Sequence, residues 1–197
     1  SLAFEVLDYA LLSAPGAPLK QALLDAKIGK DIYGSFEDGI KQTYFSIVAK
    51  GANLSRKEEF IKVIRDTLTK IAEEGIDKKA VTAGINYYEF RFREADFSSY
   101  PKGLMYGLDI LSSWLYDDTK PFCEVQLLEG FEFLKKALEE GYFEELIRKY
   151  LLGNTHGAIL SLVPEKGLAA KRDKELEEKL ENYRKSLSDE ELTRMVE

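Results

Sequence analysis

An α+β fold, a small antiparallel-rich sheet covered by helices and followed by a polar helix, is predicted by three observations. Residues 32–50 switch to a period of two around an acidic turn. On both sides of that stretch, apolar residues recur three and four positions apart. After Pro164 the apolar content narrows to one stripe among charges.

The chain opens on SLAFEVLDYALL, where Leu2, Val6, Tyr9 and Ala10 keep helical spacing and Phe4, Leu7 and Leu11 fill the other sides. A helix apolar nearly all round belongs in the interior. SAPGAP (Ser13–Pro18) is a turn, and LKQALLDAK is a second helix expected to stop at Gly29. IYGSF and IKQTYFSIVAKG read as a hairpin turning at Glu37-Asp38-Gly39, with Thr43, Phe45, Ile47 and Ala49 on one face. Ser55 and Glu58 have capping-box spacing before a helix with the stripe Ile61, Ile64, Leu68 and Ile71, ended by Gly75. Asp77 starts a helix carrying Val81, Ile85, Tyr88 and Phe92, broken by FSSYPKG. Leu104, Leu108, Leu111 and Leu115 predict the apolar stripe of another helix, with Trp114 beside it. Two helical segments follow to Leu152, and AILSLVP (158–164) reads as a short closing strand.

From Glu165 only Leu176, Leu180, Tyr183 and Leu187 are apolar on one face, and Glu175–Lys179 and Glu181–Lys185 are spaced for ion pairs. This is an exposed arm or a connector, and the boundary is placed near Pro164. Three strands are few for about six helices, so a further strand is expected upstream of Ser1. The last helix, capped by Ser188 and Glu191, holds roughly nine residues, short of the ~12–15 an isolated helix needs. Both ends are therefore expected to be internal to a longer polypeptide.

Hydrophobic residues make up 45% and charged residues 32%, an ordinary globular composition. The net charge of −7 is dispersed, which argues against a nucleic-acid or anionic-membrane partner. No apolar run approaches a membrane span and no secretory signal is visible, so a cytoplasmic or organelle-interior location is expected. The lone cysteine, Cys123, excludes an internal disulfide and fits a reducing compartment.

His156 is the single histidine. A catalytic zinc needs about three protein ligands and an open position, and neither H-x-x-E-H nor C-x-x-C is present. A turn residue bonded to backbone is the simpler reading of His156, and a small core or near-surface residue is the simpler reading of Cys123. YYEFRFREADFSSYPKG (Tyr87–Gly103) is the densest polar cluster. Glu89 and Arg93 lie four apart on one helix face; Glu94 lies on another part of the surface, three from Arg91. Carboxylates there could do acid–base work, but ion pairing at the end of an amphipathic helix accounts for the same residues. No glycine-rich phosphate loop exists.

The blocks SAPGAPLKQALLDAKIGKDIYGSFEDGIKQTYFSI, AVTAGINYYEFRFREADFSSYPKGLMYGLDILSSWLYDD and LIRKYLLGNTHGAILSLVPEKGLAAKRDKELEEKL resemble, in order, the second domain and linker of pitrilysin-type (inverzincin) zinc peptidases, in the presequence-protease branch. The resemblance implies one half-domain of the pitrilysin or mitochondrial-processing-peptidase fold over residues 1–164, incomplete at its N-terminus, and the start of a helical linker over 165–197. It implies four related domains that enclose a chamber for unfolded peptides. Zinc is then bound by the first domain, outside this chain, so no catalytic or metal residue carries over. Glu89, Arg93, Glu94, Tyr100, Pro101, Gly103 and Trp114 fall in the family-signature run, and His156 falls in an Asn-x-His turn that is not a zinc site. The partners implied are the other domains of the same polypeptide, and peptide substrate in the parent. Two alternatives stand beside this: a self-standing α+β binding or scaffold module, and an independent hydrolase site at Glu89–Arg93.

Overall fold

The computed structural model describes residues 1–95 and 97–196, with side chains through Met195. It divides into a first unit, Ser1–Ala158, and a second that starts at Ile159.

The first helix, α1 (Leu2–Asp8), continues as a π-helical turn over Tyr9–Ser13. Its predicted burial is observed: Val6, Leu7 and Leu11 are fully enclosed. Helix α2 spans Pro18–Asp25, with Pro18 at the position where a missing N–H costs nothing. It ends before the predicted stop. Lys27 takes the left-handed turn (φ 54°), and Ile28 N–H bonds back to the Leu23 carbonyl at 3.1 Å. Gly29 matters instead for space, because a Cβ there would lie 3.2 Å from the Lys50 carbonyl oxygen.

Strands β1 (Asp31–Glu37) and β2 (Tyr44–Lys50) pair antiparallel from Asp31 opposite Lys50 to Glu37 opposite Tyr44. Phe45, Ile47 and Ala49 turn toward the core as read from the period of two; Thr43 lies outside the strand. At Gly34 a Cβ would come within 2.4 Å of Leu12 Cδ1 and 2.6 Å of the Ser46 carbonyl, so the hairpin crosses α1 only with glycine there.

A 3₁₀ turn over Leu54–Arg56 precedes α3 (Lys57–Glu74). The expected Ser55–Glu58 box is replaced: Asn53 Oδ1 accepts from Ser55 N at 3.1 Å and Ser55 Oγ at 3.0 Å. An Asx side chain reaching two residues ahead competes well with a longer reciprocal cap. Helix α4 (Lys78–Glu94) starts where predicted, with Asp77 Oδ1 accepting from Lys79 N at 2.9 Å. It packs on α1, and Gly84 allows it: a Cβ would sit 2.9 Å from Tyr9 Cδ1. Helices α5 (Lys102–Trp114), α6 (Leu128–Ala137) and α7 (Tyr142–Leu146, continued by a π-helical turn Ile147–Leu152) complete the first unit. Phe131, Phe143 and Ile147 join the core.

One expectation is overturned, that of a closing strand. The helix marked by Leu104, Leu108, Leu111 and Leu115 forms as read, with these residues 43–72% exposed and no buried residue in α5. Periodicity places side chains on one face but does not supply a surface to cover it. Residues 158–164 form no strand. Leu160 and Leu162 are 84% and 90% exposed, and a β-prone segment without a ladder partner gains nothing from strand geometry. The sheet among the described residues has two strands.

In the second unit, α8 (Leu168–Ser186) and α9 (Asp189–Val196) are helical as read. Ser188 N donates to Glu191 Oε2 at 2.8 Å and Glu191 N to Ser188 Oγ at 3.3 Å, the reciprocal cap expected at that start. No helix among the described residues is long and apolar enough to cross a membrane.

Candidate functional site

Helix α4 carries the polar cluster singled out in the sequence. Val81 and Ile85 are buried on its inner face, and Glu89, one turn further along the same face, is only 9% exposed. A carboxylate in such a place needs partners. Arg93 donates from Nε and Nη2 to Glu89 Oε1 at 2.8 and 2.6 Å. Lys135 of α6 reaches Glu89 Oε2 at 2.7 Å and Glu132 at 2.9 Å. These bonds, Lys135 first and Arg93 second, hold the Glu89 carboxyl below its ordinary range. The same contacts push the Lys135 ammonium up. A carboxylate with both oxygens engaged and its proton affinity lowered is a poor general base. The arrangement is an ion cluster that ties α4 to α6.

The other signature residues do not converge on it. Glu94 is exposed, and its carbonyl accepts from Lys102 Nζ at 3.3 Å. Tyr100 is 63% exposed, Pro101 precedes the first turn of α5, and Gly103 has open space where a Cβ would stand. Trp114 closes α5, 49% exposed. Asp96, inside the quoted run, lies outside the described residues.

His156 is exposed, in a turn where Asn154 Oδ1 accepts from His156 N at 2.8 Å. Its Nδ1 stands 3.1 Å from Gln42 Nε2, in the hairpin loop. The ring therefore meets a side-chain amide 114 positions away, rather than the backbone expected from the turn. Cys123 is exposed, 3.7 Å from a Glu124 oxygen. Among the described residues, no group of three His, Cys, Asp or Glu side chains is placed to hold a metal ion.

Two polar features escaped the sequence reading. On α1, burial pushes the Glu5 carboxyl up to about 7; the Asp38 and Glu124 charges add to this, while the N-terminus and Arg91 oppose it. Burial also raises Asp8, whose Oδ1 has no hydrogen-bond partner and whose Oδ2 accepts weakly from Ser13 Oγ at 3.4 Å. Tyr88 on α4 is pushed up to about 12, by burial first and then by Glu5 and Asp8. The available signal was two acids inside a helix apolar on every side. The second feature is a clasp: Glu144 Oε1 accepts from Ile76 N at 2.9 Å, and Arg148, one turn later, donates to the Ala72 carbonyl. The pair grips the end of α3 and the turn into α4, with the cation on the carbonyl end of the helix. Pairs this far apart in sequence leave no local pattern.

Residues 1–88 match the family model described as the inactive domain of M16 peptidases. The chain is 44% identical over its whole length to protein HypA of Clostridium perfringens, covering 20% of that protein. It is 34% identical over 99% of its length to presequence protease 1 of Arabidopsis thaliana, covering 18% of it, and 28% identical over 98% to the mitochondrial presequence protease of Xenopus laevis, covering 19%. Its fold is similar to the solved inactive peptidase domain of a zinc protease from Bordetella parapertussis. That match has a TM-score of 0.53 at 12% identity and covers 70% of this chain and 74% of that one. The chain thus spans about a fifth of the length of the curated relatives it matches.

Proposed function

We propose, from the match of residues 1–88 to the inactive domain of M16 peptidases, that this chain is a non-catalytic, chamber-forming segment of a zinc-dependent endopeptidase that degrades unfolded peptides. The observation that carries the reading is the family match together with the ligand supply. With one histidine and one cysteine a catalytic zinc would have to be completed by carboxylates, yet the His156 ring is turned to Gln42 and, among the described residues, no three His, Cys, Asp or Glu side chains are placed to hold a metal. The residues present do not fit that metal, so zinc and the cleavage step are assigned to other segments of the parent polypeptide.

The role left to this chain is mechanical. The α1-centred core and the Glu89–Lys135 and Arg148–Ala72 ties support a rigid wall whose partners are the parent's other domains and its peptide substrate. The signature residues Glu89, Arg93, Glu94, Tyr100, Pro101, Gly103, Trp114 and His156 shape that wall and take no part in bond cleavage. Residues from about 165 onward begin the helical linker, through which the halves of the parent open and close. The parent works inside the cell or an organelle.

The purified chain is expected to hydrolyse no peptide with or without added zinc. Zinc-dependent cleavage that persists in material free of other proteases overturns the proposal.

A further inference from the structure

The carbonyl end of α3 and the start of α7 border a groove of about 830 Å³. Glu144 lies in it and is only 9% exposed. Its Oε1 accepts from Ile76 N, while Oε2 is enclosed and has no hydrogen-bond partner. A buried carboxylate oxygen left single is costly and calls for a donor. A Cβ on Gly141 would stand 3.8 Å from Oε2 and, its chain neighbours aside, within 4 Å of no other atom. The approach to that oxygen is clear. We propose that this groove binds a primary alkylammonium, whose N–H groups donate to Glu144 Oε2.

The charges name the ligand class. Glu73, Glu74, Glu140 and Glu145 rim the groove, and the end of α3 adds the negative pole of its dipole. Of the cations beside them, Arg148 is spent on the Ala72 carbonyl, and Lys149 stands over the Tyr150 ring at 5.0 Å. The groove therefore attracts positive charge. A metal ion is not matched, because among the described residues no three such side chains are placed to hold one. A guanidinium fork takes both oxygens of one carboxylate, and Oε1 is already used. A compact ammonium needs only the free oxygen and keeps two N–H groups for the rim. Rotation of the Glu144 carboxyl about its soft last torsion presents Oε2 to it. A polyamine carries such a group, with further charge for the rim carboxylates.

The inference is independent of the chamber-wall reading. Its test is calorimetric titration of the whole chain at low salt with spermidine and, separately, with Nα-acetyl-lysine amide. Saturation at one equivalent by either amine upholds the site. Tighter spermidine marks a free polyamine as the source, and tighter lysine amide marks a lysine side chain. Glu144→Gln keeps an oxygen for Ile76 N but turns a donor toward the ligand, and should weaken binding about tenfold or more. Glu58→Gln makes the same charge change at the far end of α3 and should leave affinity within about twofold. Circular dichroism verifies that each variant keeps its fold. If Glu144→Gln does not, the pair Glu140→Gln and Glu145→Gln on the exposed rim should weaken binding about threefold. The proposal is overturned if neither amine binds saturably, or if Glu58→Gln weakens binding as much as the groove variants do. Full competition by magnesium at matched ionic strength overturns it as well.

Discussion

Helices α1 and α5 have similar apolar content and opposite surroundings. On α1 and its π-helical continuation, Val6, Leu7 and Leu11 are wholly enclosed among the hairpin, α2 and α4. On α5, Leu104, Leu108 and Leu111 form an equally regular stripe and stand about half exposed. The comparison separates two things that periodicity joins. Helical spacing decides which side chains share a face. Whether that face is covered depends on elements elsewhere in the chain.

The sharpest way to break the comparison is truncation of one leucine on each helix. Leu11→Ala should destabilise the chain by about 2–5 kcal/mol, the range for an enclosed leucine that leaves a cavity. Leu108→Ala should change stability by no more than about 0.5 kcal/mol. Urea denaturation of the two variants measures both; equal losses would mean that α5 is covered in solution.

A second test uses the acids enclosed with α1. The Glu5 carboxyl is raised from its ordinary 4.5 to about 7, so the folded chain binds the proton more tightly than the unfolded one. Its stabilising contribution is complete below the unfolded value and is lost as pH rises through about 7. Glu5→Gln should remove that part of the decline, leaving a flatter profile of midpoint against pH between 4.5 and 7.

The smallest effect concerns Glu89. Arg93 and Lys135 have side chains 53% and 37% exposed, so both return to water when their carboxylate is removed. Glu89→Leu should therefore shift stability by less than about 1 kcal/mol in either direction, despite the depth of the carboxylate. A loss of several kcal/mol in denaturant titration would show that the ion cluster holds α4 and α6 together more firmly than solvent-screened pairs can.

Much of the local structure was legible before any coordinates. The hairpin, the Asp77 start of α4 and the Ser188–Glu191 start of α9 follow from interactions within a few residues. The Glu89–Arg93 pair was legible for the same reason, as two side chains one helical turn apart. Lys135, the other cation on Glu89, is 46 positions away and had no sequence signal. The Glu144–Arg148 clasp on α3 was equally hidden, because nothing local ties residue 148 to residue 72. The missing closing strand at 158–164 marks the same limit, since strand propensity acts only where a neighbouring edge exists.

The sequence by itself determined the helices, the existence of the hairpin and the scarcity of histidine and cysteine, because each depends on spacing or on residue counts; the hairpin turn, read at Glu37-Asp38-Gly39, instead spans 38–43, with Glu37 opposite Tyr44. Only the tertiary structure decided that α1 is enclosed while α5 is bare, that Glu89 is neutralised from two helices, and that Gly34 and Gly84 are required by close contacts. Those outcomes depend on which surfaces meet, and burial and electrostatics act through space without regard to separation along the chain.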